Sequence, residues 1–100
     1  MKKRTPTADI GTELDTYIRT NVMYESGTKE NLKKFKKDIT DIVKSHFPAK
    51  SHQTFVELWI VDNDFHCLIG FRRFDAPKFG FINCSVGMTG VQETGVDGQK

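Results

Sequence analysis

The sequence has 100 residues, 37% of them hydrophobic and 28% charged, with eight phenylalanines; this is enough for one small domain with a phenylalanine-rich core, and it excludes a second independent core and the disordered class. Fifteen basic against 13 acidic residues leave a net charge of +2, too weak a field to imply a polyanionic partner, so any electrostatic argument must rest on clustering. No apolar run approaches the roughly 18 residues that span a bilayer, and the basic start "MKKRTPTADIG" has no apolar segment behind it to make a signal peptide, so a cytoplasmic protein without membrane contact is expected.

In chain order, residues 1–7, "MKKRTPT", are polar, basic and proline-containing and read as a flexible arm before a single domain over 8–86. The stretch "TADIGTELDTYIRTNVMY" sets Ile10, Leu14, Tyr17, Ile18 and Val22 on one helical face, which predicts a first helix interrupted by "ESG". Thr28 then caps a second helix with Glu30 in its first turn, where a negative charge meets the positive end of the helix dipole. Leu32, Phe35, Ile39, Ile42, Val43 and Phe47 follow with helical period, and Pro48 ends the run because it cannot continue the hydrogen-bond ladder. From Thr54 the period becomes two. "TFVELWIV", "FHCLIGFRRF" and "FGFINCSV" read as three strands separated by the turn stretches "DND" and "DAPK". Residues 87–100 are glycine-rich with little to bury and read as a flexible tail.

Alternation sorts the strand residues into two faces. A turn at Asn63 and Asp64 would pair Ile60 with Cys67, Leu58 with Ile69 and Val56 with Phe71, and a "DAPK" loop would pair Phe74 with Phe79, Ile69 with Cys84 and Cys67 with Val86. One face then carries Val56, Leu58, Ile60, Cys67, Ile69, Phe71, Ile82, Cys84 and Val86, all apolar or thiol. The other carries Phe55, Glu57, Trp59, His66, Leu68, Gly70, Arg72, Phe74, Phe79, Phe81 and Asn83, a mixed, aromatic and partly basic set. Two amphipathic helices packed as a hairpin on the first face give a two-layer α+β domain, an N-terminal helical hairpin on a three-stranded antiparallel meander in the order ααβββ. The second face would stay open, and so large an aromatic patch should meet another copy, another protein or bases. A helix on each face is the alternative.

The stretch "KFGFIN" resembles the RNA-recognition-motif signature over six residues, Lys78, Phe79, Gly80, Phe81 and Ile82 matching in type. The glycine expected after the basic residue is absent, Cys84 stands where an aromatic belongs, and a glycine-rich stretch follows instead of a helix and a fourth strand. The resemblance is thus confined to one strand, and packing of Phe79 and Phe81 against a helix or a partner is the simpler account. Lys29, Lys33, Lys34, Lys36 and Lys37 form the strongest charge cluster, and most such runs are the solvated side of an amphipathic helix.

Cys67 and Cys84 would sit diagonally on adjacent strands, but zinc needs four ligands and His66 follows the opposite face, so neither a metal site nor a Cys–His pair is expected and both cysteines read as small buried hydrophobes. His46 and His52 flank "FPAKS" with no partner implied by spacing, and Asp62 and Asp64 are turn aspartates. A small enzyme would need His66 or the aspartates to gather in a pocket. Nothing resembles a phosphate-cradling loop, a metalloprotease helix or a hydrolase elbow.

The expected function is that of a small non-catalytic interaction protein without cofactor or metal, an inhibitor or adaptor of the kind that phage and other mobile elements carry. It would bind a protein partner, or itself as a homodimer, through Phe55, Trp59, Arg72, Phe74, Phe79 and Phe81, because aromatic and arginine anchors dominate interface energetics. The alternative is a single-stranded nucleic-acid binder that joins the same rings to Lys29, Lys33, Lys36, Lys37, Arg72, Arg73 and Lys78. Three strands also leave two sheet edges that can pair across a dimer axis.

Overall fold

The computed structural model describes residues 8–89; the expected arm, 1–7, and residues 90–100 of the expected tail lie outside the described residues. Asp9 opens the first helix, α1 (Ile10–Tyr17), by accepting the Thr12 amide at 2.8 Å. That bond satisfies an otherwise unpaired N–H and holds the Asp9 carboxyl below its ordinary pKa. The chain continues through a π-helical turn, Ile18–Val22, in which the Met23 amide donates to the Ile18 carbonyl at 2.9 Å. The sequence pattern predicts a plain helix here, and the apolar spacing explains the difference. Leu14, Ile18 and Val22 recur every fourth residue, which overshoots a 3.6-residue turn by about 40° at each step. The wider turn takes up that overshoot and keeps all three side chains buried.

The second helix, α2 (Lys29–His46), begins at Thr28, whose hydroxyl accepts the Asn31 amide at 3.1 Å, and it buries Phe35, Ile39, Ile42 and Val43. Phe47 leaves helical geometry at φ −127°, ψ 83°, as the residue before a proline must. Three strands follow, β1 (His52–Val61), β2 (Asp64–Arg73) and β3 (Gly80–Gly87), in an antiparallel sheet of order β1-β2-β3. The molecule is therefore an α+β domain of ααβββ order.

Both strand registers differ from the expected ones by two residues. Leu58 pairs with Cys67, Val56 with Ile69 and Thr54 with Phe71, while Cys67 pairs with Cys84, Ile69 with Ile82 and Phe71 with Gly80. The first shift arises because the turn residues are Asp62 and Asn63, at φ 51° and 71°, the left-handed geometry that two-residue hairpins demand and that Asp and Asn tolerate. In the second hairpin the loop runs from 74 to 79, and Arg72 fixes its shape as described below. A shift of two returns each side chain to its own face, so the sorting into faces holds.

Both helices lie on the apolar face, α2 over β1 and α1 toward β3. Leu14, Ile18, Val22, Phe35, Ile39, Ile42 and Val43 from the helical layer close on Val56, Phe65, Cys67 and Ile69 from the sheet. Phe35 and Phe65 meet edge to face at 6.0 Å, a favoured aromatic geometry. At one end of the core Phe47 stacks flat on Phe71 at 4.5 Å. β3 runs one residue past the expected domain end, and Met88 is buried beyond it, its amide donating to the Asn63 carbonyl at 2.9 Å. Thr89 reaches the other layer, where its amide donates to the Met23 carbonyl at 2.8 Å.

Candidate interaction site on the open sheet face

With both helices on one side, the other side of the sheet is left uncovered by the described residues, and the registers arrange it in rungs. Phe55, Gly70 and Phe81 share one rung, Glu57, Leu68 and Asn83 the next, and Trp59, His66 and Ser85 a third. Phe55, Trp59 and Phe81 are 37%, 41% and 58% exposed. The face has two aromatic poles, about 13 Å apart for four residues of extended chain.

The first pole is a cluster of three rings. Phe79 lies 5.9 Å from Phe55 and 6.2 Å from Phe81, and Phe55 lies 6.2 Å from Phe81. Gly70 makes room for it, because a Cβ there would collide with the Phe55 ring. Arg72 closes the end, its guanidinium carbon 5.6 Å from the centre of the Phe79 ring, within cation–π range. The same guanidinium donates to the Ala76 carbonyl at 2.8 Å and to the Gln53 side-chain oxygen at 3.0 Å. Arg72 thus ties the 74–79 loop to β1 and positions Phe79, a role in which its donors are taken up by acceptors within the protein. The second pole is Trp59 stacked on His66 at 5.4 Å with 13° between the ring planes. Phe74 lies past the end of β2 and is 56% exposed, its amide donating to the Ser51 carbonyl at 3.1 Å.

The basic residues of the nucleic-acid alternative are not gathered by the fold. Lys29, Lys33, Lys36 and Lys37 are exposed on α2, in the helical layer on the far side of the sheet from the rings, and Lys37 faces Asp41 at 4.0 Å. Arg73 grips Asp75 with two bonds of 3.1 and 3.2 Å, which raises the arginine's pKa and lowers that of Asp75. Lys78 is exposed in the loop before Phe79. The six-residue resemblance to the RNA-recognition signature therefore covers part of a loop and the start of an edge strand.

The titratable groups also find places. Cys67 stands directly opposite Cys84, both as free thiols on the helix-covered face. Burial, and then the neighbouring Cys84, push the Cys67 thiol up to about 12; burial likewise raises Cys84. His46 has a partner that spacing did not suggest, its Nε2 lying 3.2 Å from Oε1 of the buried Glu13. His52 Nδ1 lies 2.8 Å from the Ser51 hydroxyl. Among the described residues no three His, Cys, Asp or Glu side chains gather in a group that could hold a metal ion, and no helix is long and apolar enough to cross a membrane.

Sequence reasoning placed Phe55, Trp59, His66, Gly70, Arg72, Phe79 and Phe81 on this face but missed how they fit together. The stacking partner His66, the flat seat at Gly70 and the inward commitment of Arg72 all depend on register and loop shape. The alternation that put these residues on the face was the available signal. No family model, curated protein or solved structure matches the chain. The fold is a two-layer ααβββ domain in which the described residues leave one aromatic sheet face uncovered.

Proposed function

We propose that this chain is a non-catalytic interaction protein, an inhibitor or adaptor, that holds the surface of a partner protein against the open sheet face. The observation that carries this reading is the ring cluster in which exposed Phe55 and Phe81 flank the half-buried Phe79, with the exposed Trp59 beyond it, mounted on a sheet whose other side is filled by helices. Large flat side chains on a rigid support lose little conformational freedom on binding and expel much water, which is why such groups act as interface anchors. Arg72 contributes by holding the cluster's shape, and Phe55, Trp59 and Phe81 make the contact.

Single-stranded nucleic acid would use the same rings for stacking, yet it also needs cations beside them. Arg72 and Arg73 bond within the protein, and the α2 lysines stand in the other layer. The test places a photo-crosslinking amino acid at position 59 or 81, and at position 33 as a control, in the native host. Discrete protein adducts from 59 and 81 but not from 33 support the reading. Trp59 fluorescence, the signal of the only tryptophan, is then followed with a mixed single-stranded oligonucleotide at low and moderate salt. Quenching that weakens steeply with salt, without protein adducts, would overturn it in favour of nucleic acid.

A further inference from the structure

The edge of the sheet at β3 is a second surface, distinct from the aromatic face. Among the described residues β3 has one neighbour, β2, in the sheet order. The closing pair of the first hairpin, Val61 with Asp64, makes the even-numbered β2 residues bond to β1 and leaves the odd-numbered ones for β3. Their partners on β3 are Gly80, Ile82, Cys84 and Val86. The amide and carbonyl groups of Phe81, Asn83, Ser85 and Gly87 therefore point outward along the edge. The eight residues of β3, "GFINCSVG", contain no charge and no proline, so none of the residue types that normally guard an edge is present.

The helical layer also stops short of this edge. A groove of about 320 Å³ runs between α1 and β3, floored by the half-buried Ile82, Cys84 and Val86 and rimmed by Asp15 and Arg19. An added strand would meet a row of hydrogen-bonding groups and a slot for its inward side chains. We propose that β3 pairs with β3 of a second copy, antiparallel across a two-fold axis, to make one sheet of twice the three strands of a single chain.

Two observations select a second copy as the occupant. The register that uses all the outward groups centres on Cys84, pairing Phe81 with the partner's Gly87 and Asn83 with the partner's Ser85. A register centred on Asn83 leaves Gly87 unused. The Cys84-centred register also seats each largely exposed Phe81 ring over a glycine, the arrangement that Phe55 and Gly70 already show within one chain. The interface is isologous, the usual kind in soluble homo-oligomers.

In this register the two Cys84 residues face each other on the axis in a pair without direct hydrogen bonds, where antiparallel Cα atoms stand about 4.5 Å apart, within disulfide reach. The experiment is light scattering of the full chain over a concentration series, followed by oxidation with copper–phenanthroline and oxygen. A dimer that becomes covalent is expected, with Cys84→Ser abolishing the cross-link but keeping the dimer, and Cys67→Ser keeping both. Asn83→Pro removes an outward N–H that the monomer does not use, and should weaken dimerisation by about tenfold or more while the circular dichroism of the monomer is unchanged. A chain that stays monomeric, a cross-link through Cys67, or an Asn83→Pro-sensitive dimer that does not cross-link would overturn the proposal. So would a dimer insensitive to Asn83→Pro but lost in Trp59→Ala, which would assign self-association to the aromatic face instead.

Discussion

Gly70 and Gly80 each let a phenylalanine ring lie against the neighbouring strand, but the two rings differ in freedom. A Cβ at Gly80 would stand 2.5 Å from the tip of the Phe71 ring, which is stacked on Phe47 at 4.5 Å and cannot swing away. A Cβ at Gly70 meets Phe55, whose ring borders solvent. Gly80→Ala should therefore cost about 1–3 kcal/mol, as overpacking does. Gly70→Ala should change stability by less than about 1 kcal/mol, because relief of glycine's backbone entropy offsets the ring's displacement. Urea unfolding of the two variants makes the comparison; equal losses would mean that Phe55 is as fixed as Phe71. Cys67 and Tyr17 give a pH dependence of known sign. Burial and Cys84 push the Cys67 thiol from 9.0 up to about 12, and burial with the 2.6 Å bond to Asp38 raises the Tyr17 hydroxyl. Both groups bind their proton more tightly in the folded state. Their contribution is complete below the unfolded pKa and is lost as pH climbs through the folded one. Denaturant midpoints should fall from pH 9 upward, less steeply in Tyr17→Phe or Cys67→Ala, and a flat profile would contradict the burial of these groups.

The elements were legible where a repeat is long and punctuated. Thr28 and Pro48 bracket α2 in the sequence as in the structure, since a capping hydroxyl and a missing N–H act locally. The faces of the sheet were legible because parity survives any even shift in register. The registers themselves were not, because Asp62, Asn63 and Asp64 are all acceptable turn residues and only the closed hairpin decides which two are used. The π turn needed knowledge of the surface that Ile18 and Val22 must reach, and the pairing of His46 with Glu13 spans 33 positions. Asn63, at φ 71°, tests the hairpin directly. Asn63→Val places a β-branched side chain in left-handed geometry and should destabilise by about 1–2 kcal/mol, whereas Asn63→Gly should be neutral or stabilising. Thermal unfolding of both checks it, and tolerance of valine would mean that the turn re-forms one residue away.

For the whole molecule the governing fact is the separation of layers. The aromatic face was half legible in the sequence: its membership followed from alternation, but its exposure depended on where two helices settle, which no single element encodes. Once both helices lie on the apolar side, lysines and rings are divided by the thickness of the domain, and they should behave independently. Lys33→Glu combined with Lys36→Glu should leave Trp59 emission, dimerisation and stability unchanged, the last within about 0.5 kcal/mol. A shift in Trp59 emission would show that the layers communicate. The bond from Thr89 to Met23 has a consequence for the order of events during synthesis. It joins positions 66 residues apart and, with Met88 packed beneath it, connects the last strand to the end of the first helical segment. The helices leave the ribosome before the strands, but the surface that buries them is not complete until residue 89 has followed, so the nascent chain must keep its apolar helix faces from other proteins until then.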